Sequence, residues 1–164
     1  MAWANQQIIG KVSQLPDEAL DAYQVNPDWT VREIIRHTAG ASTWYVYRLL
    51  DRAILSESDK AQWKQRLSDT DIAPARTADI AKVLEKLAIS DAELLKASEL
   101  PEGVVVRELD GKTITRARST VISQSIHHAT EHRAQLVAAL ESRGFNTINL
   151  DDYDLWNFGD TINE

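Results

Sequence analysis

The chain has 164 residues, 43% of them hydrophobic and 26% charged, which suits one soluble globular domain with a real core. It contains no cysteine, and this excludes disulfides, thiolate metal sites and cysteine nucleophiles. A net charge of -7 argues against a nucleic-acid partner, which needs cations to neutralise its phosphates.

Ile8, Ile9, Val12 and Leu15 recur at helical spacing and predict a first helix over residues 2–15. Met1 to Gln7 has no basic region followed by a long apolar run, and no stretch has the apolar length of a membrane span. A cytoplasmic protein with no membrane partner is therefore expected. Pro16 interrupts the helix, and Asp17-Glu18-Ala19-Leu20 restarts a short helical piece with acids in its first turn. Asn26 to Trp29 reads as a loop. Thr30 and Glu33 form a capping-box pattern and predict a second helix from there to about Ile54. Its core face is expected to carry Val31, Ile35, Ser42, Val46 and Leu49, with Ile34, Thr38 and Tyr45 beside them.

Residues 56–76 are polar and mixed, and predict a long connection with a helical turn around Trp63. A crossover of this length suits a bundle that is not simply up-down-up-down. Thr77 is expected to cap a third helix carried by Ile80, Val83, Leu84, Leu87, Leu94 and Leu95 and ended before Pro101. Val104-Val105-Val106 and the Asp110-Gly111 pair predict a small hairpin within 103–115. The last long helix is placed over about 115–143, with Gly144 at its C-terminal cap. Lys112, Arg116 and Arg118 form the densest run of cations, which reads as a solvated turn and helix start. The acidic, aromatic tail from Phe145 is expected to dock at first and fray at its end. The whole reads as one domain over residues 1–164, an all-α four-helix bundle with a long crossover connection and a small hairpin before the last helix.

The last helix offers two chelating pairs at i, i+4 spacing: His128 with His132, and His127 with Glu131. At about 100° per residue, Val121, Ala129, Leu136, Ala139 and Leu140 form an apolar arc. His128 and His132 fall within or beside it, whereas His127 and Glu131 fall among Ser123, Gln124, Ala138 and Glu141. The inner pair is thus His128 and His132. Spacing alone leaves two readings open, a metal site or two buried imidazoles satisfied by neighbours. The one remaining histidine, His37, lies at the flank of the second helix's core stripe with Ala41 and Trp44, a position that suits either the interior or the solvent edge.

Trp29-Thr30-Val31-Arg32-Glu33-Ile34-Ile35-Arg36-His37 resembles the second-helix entry of the DinB/YfiT-like superfamily, and His128-Ala129-Thr130-Glu131-His132-Arg133-Ala134-Gln135 resembles its HxxxHRGQ segment. Gly144 followed by Asp151-Asp152-Tyr153-Asp154 resembles its usual ending. Ala134 stands where glycine is common. The resemblance covers nearly the whole chain. It implies a metal-dependent four-helix bundle, often a homodimer, whose ligands are His37, His128 and His132, a histidine triad. Some members of the superfamily transfer a low-molecular-weight thiol to an electrophile, and relatives perform mycothiol-dependent isomerisation.

Three imidazoles leave a divalent metal an open position, as catalytic sites do. Zinc or nickel is the expected metal. With no cysteine in the chain, a reactive thiol has to arrive as a cosubstrate. The expected function is a metal-dependent transferase acting on a small molecule with a small thiol. A non-catalytic metal-binding or stress-response protein of the same fold is the alternative, and a bundle without metal a third. Glu131 is expected to be a solvated ion-pair residue more than a base or imidazole partner. Arg133 is placed to pair with Asp151 or Asp152, and Gln135 to support a ligand or helix packing. Trp44 and Tyr45 are candidates for a pocket wall or for ordinary aromatic packing.

Overall fold

The computed structural model describes residues 1–50 and 56–162, with residues 108 and 109 described by backbone alone. Helix α1 spans Ala2–Val12, α2 Val31–Leu49, α3 Glu57–Thr70, α4 Ile80–Ser98, α5 Arg118–Glu141 and α6 Leu155–Ile162. Strands β1 (Val104–Leu109) and β2 (Lys112–Ala117) pair antiparallel between α4 and α5, with Val104 opposite Ala117 and Leu109 opposite Lys112.

The apolar stripes bring α1, α2, α4 and α5 together as the expected bundle, with α2 packed on both α4 and α5. Ile8, Ile9, Leu20, Ile34, Ile35, Ile80, Leu87, Leu136 and Leu140 are all nearly sealed from solvent in its main core. Burying each such side chain contributes about 1.5–3 kcal/mol. A second cluster, Tyr45, Val46, Leu49, Leu94 and Ala97, fills the other end and receives Val105 of the hairpin and Trp63 of α3. That contact supports a hairpin too small to be stable alone. Its turn residues Asp110 and Gly111 have φ of 51° and 72°, the left-handed pair that a two-residue hairpin turn needs.

Several boundaries differ from the sequence reading. Helix α1 ends at Val12, because Ser13, Gln14 and Leu15 bond three residues back instead of four. Thr30 does sit at the N-cap of α2, but the capping box is not formed. Its hydroxyl is buried with no hydrogen-bond partner among the described residues, and Glu33 instead takes the Arg36 guanidinium at 2.8 Å. The Val31 amide is satisfied from outside the helix, by the Ala22 carbonyl at 2.9 Å. Helix α2 stops at Leu49, and the expected continuation to Ile54 falls on residues 51–55, outside the described residues.

The connection that was expected to hold one turn near Trp63 instead forms the 14-residue helix α3, capped by the Ser56 hydroxyl on the Asp59 amide. It packs on α2 and lies in the crossover. Thr77 caps nothing. Its amide and hydroxyl both bond Asp17 at 2.8 Å, while Asp79 accepts from the Arg76 amide. Leu95, expected in the core, is 66% exposed because it lies on the outer side of α4. Helix α5 begins at Arg118, since β2 holds the chain extended through Ala117.

The C-terminal cap of α5 is as expected. Gly144 has φ 84°, its amide bonds the Glu141 carbonyl, and the Phe145 amide reaches back to Leu140, a Schellman closure. The tail docks through Tyr153 and Phe158, whose rings lie 5.9 and 5.6 Å from Trp3. It then stays helical to Ile162, and the last two residues, where the tail's end was expected to fray, lie outside the described residues. Among the described residues no helix is long and apolar enough to cross a membrane.

Candidate metal centre

Helix α2 presents His37 from its second turn, directly after the buried Ile34 and Ile35. Helix α5 presents His128 and His132 one turn apart, on the arc that also buries Ala129, Leu136 and Leu140. Because α2 and α5 pack side by side, the three rings meet between them. His128 Nε2 lies 3.0 Å from His37 Nε2 and 3.1 Å from His132 Nε2. The three candidate ligand atoms all fall within 4.8 Å of one another. His132 is buried, and the other two are half-buried.

Burial governs the charge of the cluster. It pushes the His128 imidazole down to about 4, with the His132 and His37 rings adding to the shift. His37 is lowered too, first by burial, then by His132 and Arg36. Near neutral pH both are therefore uncharged and keep a nitrogen lone pair, which is the form that binds a metal. No carboxylate joins the three imidazoles in the cluster found among the described residues. An all-nitrogen, borderline-soft donor set of this kind fits zinc, nickel, copper or iron, and does not suit calcium or magnesium.

Aromatic rings wall the centre. The loop before α2 is folded by the Asn26 side chain on the Asp28 amide and by the Trp29 amide on the Asn26 carbonyl. That turn delivers the Trp29 ring edge-on to His37 at 5.2 Å and to His132 at 5.6 Å. Tyr45 stands 5.7 Å from His128, and burial raises its phenol. A cavity of about 10 Å³, lined in part by Asn5, Thr38, Ser42, Tyr45 and His128, adjoins the cluster. It has room for about one water.

Support comes from α5. Gln135 Oε1 lies 2.9 Å from His132 Nδ1 and 2.8 Å from Trp29 Nε1, and Gln135 Nε2 lies 3.3 Å from Glu131. Glu131 is thus an exposed residue that bonds Gln135 and also acts on His128 through its charge. His127 points to solvent, as the wheel indicates. Arg133 does not pair with Asp151 or Asp152. It turns inward and donates to Asn5 Oδ1 at 2.7 Å and to Thr130 at 2.9 Å. Asn5 in turn donates to the buried Asp91, which also takes the Ser42 hydroxyl at 2.9 Å. A fully buried polar partner draws the guanidinium in, and the tail acids bond to Asn149 and Asn157 instead. Trp44 is partly exposed, with Arg48 stacked on it at 4.8 Å, so of the two aromatics only Tyr45 borders the triad.

Trp29 is the residue that reading the sequence missed. It stands in the quoted entry motif, but no periodicity assigns a role to an aromatic in a loop.

A family model described as mycothiol maleylpyruvate isomerase N-terminal domain matches residues 2–137. The matched span contains all three histidines, Trp29 and Gln135, and stops before the aromatic tail. Neither the curated proteins nor the solved structures compared with the chain gave a match.

Proposed function

The chain belongs to the mycothiol maleylpyruvate isomerase N-terminal domain family, within the DinB/YfiT-like superfamily, and on that premise we propose that His37, His128 and His132 hold one divalent transition metal, zinc or nickel. We further propose that the protein is a metal-dependent transferase joining a small thiol cosubstrate to a small electrophile. The observation that carries the reading is the convergence of three Nε2 atoms, two of them on imidazoles that burial keeps neutral.

When bound, such a metal supplies Lewis acidity that lowers the pKa of a coordinated thiol or water toward neutrality. The chain supplies the rest. His37 and His128 provide lone pairs without a proton to displace near neutral pH, and His132 adds a third ring nitrogen. Trp29 and Tyr45 give the centre apolar walls that limit water. No cysteine competes for an electrophile, so the sulfur must come from outside. On the same reading the protein works in the cytoplasm as a homodimer of single-domain chains.

One observation favours the second reading, a non-catalytic metal-binding protein of the same fold. The cavity beside His128 has only about 10 Å³, and the larger one, about 240 Å³, lies between Asp69, Pro74 and Lys86, where it touches none of the three histidines. Metal analysis of untagged protein, beside a His128→Ala variant, tests the centre. One metal per chain in the wild type and none in the variant is expected. Full stoichiometry in the variant would sink the three-histidine site. A screen of thiols and electrophiles with and without metal tests the transferase, and a flat response would leave the non-catalytic reading.

A further inference from the structure

Gln135 is one amide with three partners, and their chemistries leave it a single orientation. The Trp29 indole N–H only donates, so the Gln135 atom 2.8 Å away must be the oxygen. The Glu131 carboxylate only accepts, so the atom facing it at 3.3 Å must be the amide nitrogen. The same oxygen lies 2.9 Å from His132 Nδ1. An oxygen there requires a proton on Nδ1, and a neutral imidazole protonated at Nδ1 carries its lone pair on Nε2. Nε2 is the atom that faces His128 and the centre of the triad.

We propose that Trp29 and Gln135 are positioning residues that lock His132 in the Nδ1–H tautomer, so that its Nε2 stands ready to donate at the triad. The lock uses the metal-site reading for its purpose, but it operates in the metal-free protein. Were the amide to turn over, its NH2 would face the indole N–H, two donors at hydrogen-bonding distance. His132 would then carry its proton on Nε2, where a proton excludes a ligand. The Trp29 ring forms a wall, and its N–H selects the tautomer. A phenyl ring at position 29 keeps the first property and loses the second.

The test reads the tautomer of His132 by nitrogen-15 NMR in metal-free protein, and zinc affinity by competition with a chelator. Wild type should show His132 protonated at Nδ1. Trp29→Phe should show a mixture of tautomers and bind zinc about tenfold more weakly, the lower end of the loss usual for outer-shell partners. Gln135→Glu offers a carboxylate, which has no amide to turn over, so adding Trp29→Phe to it should leave the tautomer unchanged. An Nε2–H tautomer in the wild type, or a Trp29→Phe protein with an unaltered tautomer, would overturn the proposal. The wild-type measurement stands even where a variant folds poorly. If zinc binds none of the proteins while the tautomers behave as expected, the metal reading fails and the lock stands.

Discussion

Two buried polar clusters sit side by side in this bundle, and they are built on opposite plans. The cluster of Asp91, Asn5, Ser42 and Arg133 is closed: the Asn5 amide links one carboxylate to one guanidinium, and the Ser42 hydroxyl donates to the carboxylate, the four residues coming from α4, α1, α2 and α5. Its polar atoms point at one another, as buried polar groups in a stable core do. The histidine cluster is open. Three acceptor-capable nitrogens point at one another with no carboxylate among the described residues in their cluster, and the surrounding bonds orient the rings without filling the centre. The contrast separates polar atoms that hold helices together from polar atoms held ready for something else.

The largest expected effect breaks the closed cluster. Asp91→Ala leaves the half-buried Arg133 guanidinium without its counter-charge and Asn5 without its acceptor. We expect a loss of about 2 kcal/mol in chemical denaturation, within the range for leaving buried polar groups unsatisfied. His128→Ala should do the reverse, abolishing metal uptake while changing the stability of metal-free protein by about 1 kcal/mol or less. Equal destabilisation by the two substitutions would erase the distinction.

Acid should sharpen the comparison, because the two clusters respond with opposite sign. His128 has a folded pKa near 4, below the value near 6.5 of an unfolded histidine. The unfolded chain therefore takes that proton first, and the metal-free fold loses stability as pH falls from about 6.5 toward 4. Burial raises Asp91 above the ordinary carboxylate value. The folded chain takes that proton first, so this group's contribution grows as pH falls through the raised pKa and is lost as pH rises through it. Urea midpoints at pH 7 and pH 5 check both. His128→Phe should flatten the acid loss, and Asp91→Asn should remove the opposing gain. The smallest effect belongs to Ala134, exposed on α5 beside both clusters. Ala134→Gly should cost about 1 kcal/mol of helix stability and leave metal affinity unchanged.

The open cluster was more legible in the sequence than its surroundings. The i, i+4 spacing and the wheel separated His128 and His132 from His127, and the histidine count left His37 as the remaining imidazole. Periodicity worked there because α5 carries a clean apolar arc. It failed for α3, whose apolar residues Trp63 and Leu67 form too narrow a stripe to stand out among charged neighbours. It failed for Arg133 because a long side chain chooses among partners that only the fold brings near, and Asn5 lies 128 positions away. Trp29 and Thr30 escaped for a related reason. Their roles depend on a loop whose path is set by Asn26 and Ala22, not by a repeating pattern.

Trp29 has one more consequence, an optical one. Its indole ring meets two of the three imidazoles edge-on, and its N–H is tied to the amide that holds one of them. Indole emission shifts with the polarity around the ring. Of the five tryptophans, Trp29 is the one whose ring contacts are with the triad, while Trp3 meets the tail and Trp44 and Trp63 carry arginines. The protein thus carries a native fluorophore at its candidate metal centre, and filling or emptying that centre becomes a signal readable in a cuvette without a label.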